Sequence, residues 1–284
     1  MTKPQVDFFC IGAAKSATTW LAQCMNEHPD VHVSDPKEPN FFCQTVDLFP
    51  ARPGPRYLND WSWYESCFKG AARTAKRGDF SSQLLHNHGA PALLREHYPK
   101  ARLLVLLRNP VARLYSHYWF RRQFPPRRGV PPSFEAALEH DHFVHRSRYM
   151  EQLEGWLEVW GKRRLHVMTD LQLEHDPGAL LGDAFRFIRV DGTFRPQGLQ
   201  QRIQPPSHPT RRARVAAVAG RSLRGVGLGG LAAAGSGSVA RWTGRKRAPT
   251  MTQDQRELAW ELVADDVRAL EQKLRLDLTG WRPV

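Results

Sequence analysis

The sequence predicts an α/β fold in three layers: a central parallel β-sheet flanked by helices. Three observations predict it. Residues 6–11 and 102–107 are short apolar runs, each followed at once by a turn and then by helical periodicity, and residues 165–168 form a third such run just ahead of Asp170-Leu171 and another helical stretch. Short continuous apolar runs mark strands buried on both faces, and their alternation with helices is the pattern of parallel strand–helix–strand units. With 284 residues the chain is long enough for one substantial domain, and a single domain is expected over residues 1–284.

Each element has a local reason. The first helix is expected over residues 16–27, with Trp20, Leu21, Cys24 and Met25 on one face and His28-Pro29 ending it. Val31-His32-Val33 reads as a short strand, and residues 44–78, rich in Pro, Trp and Tyr, read as irregular. Pro110 suits the first position of the helix after the second apolar run. Tyr149, Leu153, Trp156, Leu157 and Trp160 recur at helical spacing and read as a core face rather than an acceptor platform. Thr252 and Gln255 have capping-box spacing at the start of a final helix, whose apolar face is read as Leu258, Leu262, Val267, Leu270 and Leu274. Residues 204–250, basic and rich in Gly, Ala and Ser, are expected to be a flexible segment.

Two turns carry the chemistry. Ile11-Gly12-Ala13-Ala14-Lys15-Ser16-Ala17-Thr18-Thr19-Trp20 joins the first strand to the first helix. Small residues let backbone approach a ligand, the N–H groups at a helix start favour an anion, and the lysine and hydroxyls add charge and donors. A nucleoside triphosphatase P-loop, counted from Gly12, requires glycine at 17 and lysine at 18. Here Ala17 and Thr18 stand there and the lysine comes early, at Lys15. The second turn opens Arg108-Asn109-Pro110-Val111-Ala112-Arg113-Leu114-Tyr115-Ser116-His117-Tyr118. Its arginine suits a phosphate, because the planar guanidinium can bond two oxygens at once.

Together these segments resemble the sulfotransferases that use 3′-phosphoadenosine 5′-phosphosulfate (PAPS). The first is similar to that family's 5′-phosphosulfate loop, P-K-[SA]-G-[TS]-[TS]-[WL], with Ala14 and Ala17 in place of proline and glycine; the second matches the 3′-phosphate motif R-[DN]-P-x-x-R-x-x-S-x-[YF] in full. Pro36-Lys37-Glu38-Pro39-Asn40-Phe41-Phe42 is similar to the family's K-E-x-[HN]-F-F segment, whose glutamate is the general base. Gly78-Asp79-Phe80-Ser81-Ser82 resembles its G-[ED]-x-[ST]-P element, with Ser82 where proline is usual and Phe80 where a lysine often meets glycosaminoglycan substrates. Asp170-Leu171 and Leu278-Thr279-Gly280-Trp281 also resemble family features.

The resemblance implies a P-loop-like fold and transfer of a sulfuryl group from PAPS to an acceptor hydroxyl or amine, releasing adenosine 3′,5′-bisphosphate. It implies that Lys15, Ser16, Ala17, Thr18, Thr19 and Trp20 meet the 5′ end of the donor, that Arg108 and Ser116 hold its 3′-phosphate, and that Glu38 takes the acceptor proton. His86, His88 and Asp79 remain alternative bases. Segment 204–250 is expected to cover cofactor and substrate, with Arg211, Arg212 and Arg224-Gly225 as candidate contacts. A glycan, glycolipid or secondary metabolite is the expected acceptor, and oligomeric state is left open.

Composition bounds the alternatives. A net charge of +13, with basic pairs at residues 121–122, 127–128 and 211–212 and a run at 245–247, would suit a nucleic-acid binder, but no nucleic-acid-binding motif accompanies it. Positive potential also serves a multiply charged donor. A P-loop-type small-molecule kinase shares the strand–loop–helix logic but places its lysine later. Cys10, Cys24, Cys43 and Cys67 lack ligand spacing, so free thiols and no metal are expected. There is no apolar run of membrane-spanning length and no signal-peptide pattern, and a cytoplasmic enzyme is expected.

Overall fold

Five parallel strands form the sheet. They are β1 (Phe8–Gly12), β2 (Val31–Val33), β3 (Lys76–Asp79), β4 (Arg102–Leu107) and β5 (Leu165–Thr169), in the order β2-β3-β1-β4-β5. The structure is a computed structural model and describes residues 3–46, 52–53, 58–123, 129–200, 207–208 and 246–283. Two further strand pairs, Thr45–Val46 with Arg52–Pro53 and Ser207–His208 with Lys246–Arg247, are antiparallel and two residues long. Arg211, Arg212, Arg224 and most of the expected covering segment lie outside the described residues.

Pleating sorts the apolar runs onto two faces. Phe8, Cys10, Leu104, Leu106 and Met168 pack with α1 (Thr18–Asn26) on one side. Phe9, Ile11, Leu103, Val105, Leu107 and Leu165 pack on the other against α3 (Ala90–His97), which follows α2 (Trp61–Ser66). Each fully buried aliphatic side chain contributes about 1.5–3 kcal/mol relative to exposure, so the runs fix which segments become strands. The chain continues through α4 (Pro110–Gln123), the short α5 (Phe134–Leu138) and α6 (Asp141–Val144), then α7 (Tyr149–Trp160), α8 (Asp170–His175) and α9 (Pro177–Ile188). α9 covers the Phe8 face, and Tyr149, Leu153, Trp156 and Trp160 of α7 are buried on the Phe9 face, as the core reading of that stripe expects.

Two expectations need correction. Residues 44–78 are not irregular throughout: they hold α2 (Trp61–Ser66), and Lys76-Arg77-Gly78-Asp79 is the strand between β1 and β2. Its polar sequence hides it, and Gly78 is required because a Cβ there would lie 2.1 Å from the Phe8 ring. The last helix is two helices, α10 (Gln253–Glu261) and α11 (Ala264–Leu274), the chain bending at Val263 with φ −126° and ψ −8°. Its buried side runs through Ala259, Val263, Val267 and Leu270, at spacings of four and three, while Leu258 and Leu262 are 46% and 36% exposed. The Thr252–Gln255 capping box is present.

Candidate functional site

In an open parallel sheet the crevice for a ligand lies beyond the carboxyl ends of the strands, where the connections depart in opposite directions. β1 and β4 are neighbours here, so the loops leaving them meet. After β1, Lys15 and Ala17 adopt left-handed backbone, with φ of 75° and 61°. That conformation favours glycine and costs an alanine free energy; it explains the family's glycine at the place of Ala17. Ala17 is also the N-cap of α1 and supplies no side-chain cap, which leaves first-turn N–H groups of the helix available to an anion.

The loop is braced from β4 and α4. Arg108 Nη1 donates to the Lys15 carbonyl at 3.4 Å, and Arg113, only 1% exposed, donates through Nε to the Ala14 carbonyl at 3.2 Å and through Nη1 to Ser147 Oγ at 3.3 Å. The Tyr149 hydroxyl donates to the Arg108 carbonyl at 2.8 Å. Lys15 Nζ lies 4.1 Å from the centre of the Phe120 ring on α4. Ser116 is buried on the same helix, and its Oγ has no hydrogen-bond partner among the described residues. Buried hydroxyls are ordinarily paired, so this orphaned group fits an absent phosphate oxygen.

Other predicted donor contacts are placed less uniformly. Ser16 is buried and its amide donates to the Ala13 carbonyl at 3.2 Å; Thr18 is buried, and Thr19 is exposed. Trp20, on the first turn of α1, is packed into the core, with its indole nitrogen unpartnered among the described residues.

The start of α4 is held by residues distant in sequence. Asn109 Oδ1 accepts from the amides of Val111 and Ala112 at 3.1 and 3.2 Å, which caps the helix. The Asn109 amide donates to Asp170 Oδ2 at 2.8 Å, its side chain donates to the Trp281 carbonyl at 2.9 Å, and Trp281 Nε1 donates to Asp170 Oδ1 at 2.6 Å. Burial pushes the Asp170 carboxyl up, and these donors oppose that shift. Asp170 and the C-terminal Trp281 therefore brace the 3′-phosphate motif from behind.

Glu38 is held beside the segment that follows β3, where Ser82 reaches its side chain. Its backbone is left-handed, with φ 62°, as is that of Asn40, with φ 53°. Glu38 Oε1 accepts from Lys37 Nζ at 2.9 Å and from Ser82 Oγ at 2.7 Å, and its side chain is 33% exposed. The alternative bases are placed differently. Asp79 is wholly buried, accepts from Tyr64 and Ser81 at 2.8 and 2.6 Å, and is pushed up to about 6 chiefly by burial. His86 directs Nδ1 at Arg146 Nη1, 3.1 Å away, and His88 lies exposed beside His145. Phe80 is 1% exposed and packs edge-on against Phe8, so the residue at the lysine position is core rather than site.

Sequence reasoning missed three participants. In sequence Arg113 is a motif residue with no role of its own, Tyr149 belongs to a core stripe, and Ser82 is a departure from proline. No local signal marked their contacts, which cross 99, 41 and 44 residues of sequence. Among the described residues no group of three or more His, Cys, Asp or Glu is arranged to hold a metal, and all four cysteines are buried free thiols. No helix of the described residues is long and apolar enough to cross a membrane.

Known proteins share this architecture. The crystal structure of a sulfotransferase from Alicyclobacillus acidocaldarius superposes with a TM-score of 0.69 over 99% of this chain and 100% of that one, at 22% identity, a likeness of fold. The sulfotransferase domain from the curacin biosynthetic pathway gives a TM-score of 0.52 over 72% of this chain and 79% of its own, at 15% identity. In sequence, the bifunctional heparan sulfate N-deacetylase/N-sulfotransferase 1 of Caenorhabditis elegans is 24% identical over 194 residues, which are 64% of this chain and 22% of that protein. Its Homo sapiens counterpart is 24% identical over 199 residues, again 22% of its length. The chain thus spans about a fifth of these curated relatives. Residues 5–205 match the family model described as the sulfotransferase domain, and the chain belongs to that family.

Proposed function

We propose that this chain transfers a sulfuryl group from PAPS to a hydroxyl of a small-molecule or glycan acceptor and releases adenosine 3′,5′-bisphosphate. The observation that carries the reading is the junction of the two turns: Arg108 reaches the Lys15 carbonyl at 3.4 Å, while Ser116, two helical turns on, buries a hydroxyl that has no hydrogen-bond partner among the described residues. One ligand with a phosphate at each end of an adenosine satisfies both. Lys15, the N–H groups at the start of α1, and the hydroxyls of Ser16, Thr18 and Thr19 would take the 5′ end; Arg108 and Ser116 would take the 3′-phosphate.

Sulfuryl transfer, like phosphoryl transfer, depends on in-line positioning and on offsetting charge. Glu38, whose side chain is 33% exposed, removes the acceptor proton as the acceptor oxygen bonds to sulfur. The bond from sulfur to the bridging oxygen breaks, and Lys15 offsets the charge that grows on that oxygen. The curated relatives are named for N-sulfation of heparan sulfate, but Phe80 is core here, so its position offers an acidic glycan no cation.

Calorimetry with adenosine 3′,5′-bisphosphate and with ATP tests donor recognition: tight binding of the bisphosphate and weak binding of ATP is expected, and the reverse sinks the proposal in favour of a kinase. Incubation with PAPS and cell extract, read by mass spectrometry for products heavier by one sulfuryl group, identifies the acceptor.

A further inference from the structure

We propose that Ser82 is a positioning residue for the base, holding one oxygen of Glu38 so that the other takes the proton. The inference rests on the reading of Glu38 as the group that deprotonates the acceptor. Ser82 is 4% exposed and donates to Glu38 Oε1 at 2.7 Å, and Lys37 Nζ donates to the same oxygen at 2.9 Å. Oε2 accepts no hydrogen bond among the described residues. The carboxylate is therefore asymmetric: Oε1 is saturated by charge-assisted bonds, and Oε2 is the oxygen left to bond the acceptor hydroxyl.

The backbone around it is fixed by the same strand end. The Asn40 amide donates to Ser81 Oγ at 2.9 Å, Ser81 Oγ donates to buried Asp79 at 2.6 Å, and the Asn40 side chain donates to the Glu38 carbonyl at 3.1 Å. Glu38 and Asn40 both occupy left-handed backbone, which persists only where surrounding contacts impose it. Ser81 thus holds the loop and Ser82 holds the side chain. Proline, usual at this place in the element that residues 78–82 resemble, has no hydroxyl to give, whereas Ser82 donates to Glu38. In the step, the acceptor O–H proton passes to Oε2, the acceptor oxygen forms the new bond to sulfur, and the electron pair of the broken sulfur–oxygen bond leaves with the bisphosphate.

The test uses the whole chain with adenosine 3′,5′-bisphosphate bound. The infrared difference between wild type and Glu38→Gln isolates the Glu38 carboxylate band; Ser82→Ala is expected to shift that band and Ser82→Thr to restore it, with bisphosphate affinity and melting temperature unchanged. In parallel, bisphosphate release from PAPS in the presence of cell extract, above a control without extract, is expected to fall about ten- to hundred-fold in Ser82→Ala, the scale of a misplaced reacting group, and to recover in Ser82→Thr. An unmoved band in Ser82→Ala overturns the inference, and so does a loss of turnover matched by an equal loss of bisphosphate affinity. Retained turnover in Glu38→Gln overturns the assignment of the base itself, whereas an inactive Glu38→Gln beside a fully active Ser82→Ala overturns only the role of Ser82.

Discussion

Arg113 Nε donates to the carbonyl of Ala14 across 3.2 Å, fastening the helix of one phosphate turn to the backbone of the other. The guanidinium is 1% exposed and also bonds Ser147 Oγ. A buried cation in this place acts on the shape of the loop rather than on solvent, and its field adds to that of Lys15 and Arg108 at the crevice. The two turns are one mechanical unit.

Arg113→Met should therefore weaken both the fold and the site. Leaving the Ala14 carbonyl and the Ser147 hydroxyl without their donor is expected to cost about 1–3 kcal/mol of stability for each buried group left unpaired. Denaturant unfolding reads that loss, and calorimetry should show weaker bisphosphate binding, although Arg113 lies behind the loop.

Adenosine 3′,5′-bisphosphate should bind at least ten-fold more tightly than 5′-AMP, because hydrogen bonds to a charged group are worth about 1.5–3 kcal/mol and the proposed partners Arg108 and Ser116 would lose theirs without the 3′-phosphate. Arg108→Leu should bring the two affinities together. Equal affinities in the wild type would remove the 3′-phosphate from this turn.

Glu38→Gln should leave bisphosphate affinity nearly intact and lower turnover by about 10²–10⁴, the range of positioned general-base catalysis. Lys15→Ala should damage both quantities, since in the proposed reaction the ammonium would meet the bound nucleotide as well as the developing charge. Steady-state turnover beside calorimetry on the same two variants separates the roles.

Asp79 should make stability fall as pH rises from about 4 to about 6. Burial lifts its carboxyl from 3.8 to about 6, so the folded state holds the proton over a range where the unfolded chain has released it. That contribution is fully present below pH 4 and lost once the pH passes 6. A displacement of about two pH units corresponds to about 3 kcal/mol. Asp79→Asn should flatten this part of the curve, measured by urea unfolding at pH 4, 5, 6 and 7; an unchanged slope would place the proton elsewhere.

Strands whose residues are apolar on both faces were legible in sequence, as were the two turns that follow them. β1 and β4 announce themselves because a strand buried in the middle of a parallel sheet must be apolar throughout. β3 does not: Lys76-Arg77-Gly78-Asp79 contains no apolar side chain, and what makes it a strand is the ring of Phe8 filling the space that Gly78 leaves. The break at Val263 is of the same kind, since the stripe that is buried depends on the partner surface and not on which leucines the helix carries.

By itself, the sequence determined the chemical vocabulary of this protein: a phosphate loop with an early lysine, an arginine-led second turn, a glutamate between prolines, and the order of strands and helices that carries them. Such features are local, because turn geometry and strand burial are set by neighbouring residues. Only the tertiary structure decided that Arg113 would hold Ala14, that Asp170 and Trp281 would brace Asn109, and that Ser82 would reach Glu38. Those contacts join residues 44 to 172 positions apart, and no local preference selects a partner at that distance; the packing of the sheet and its helices does.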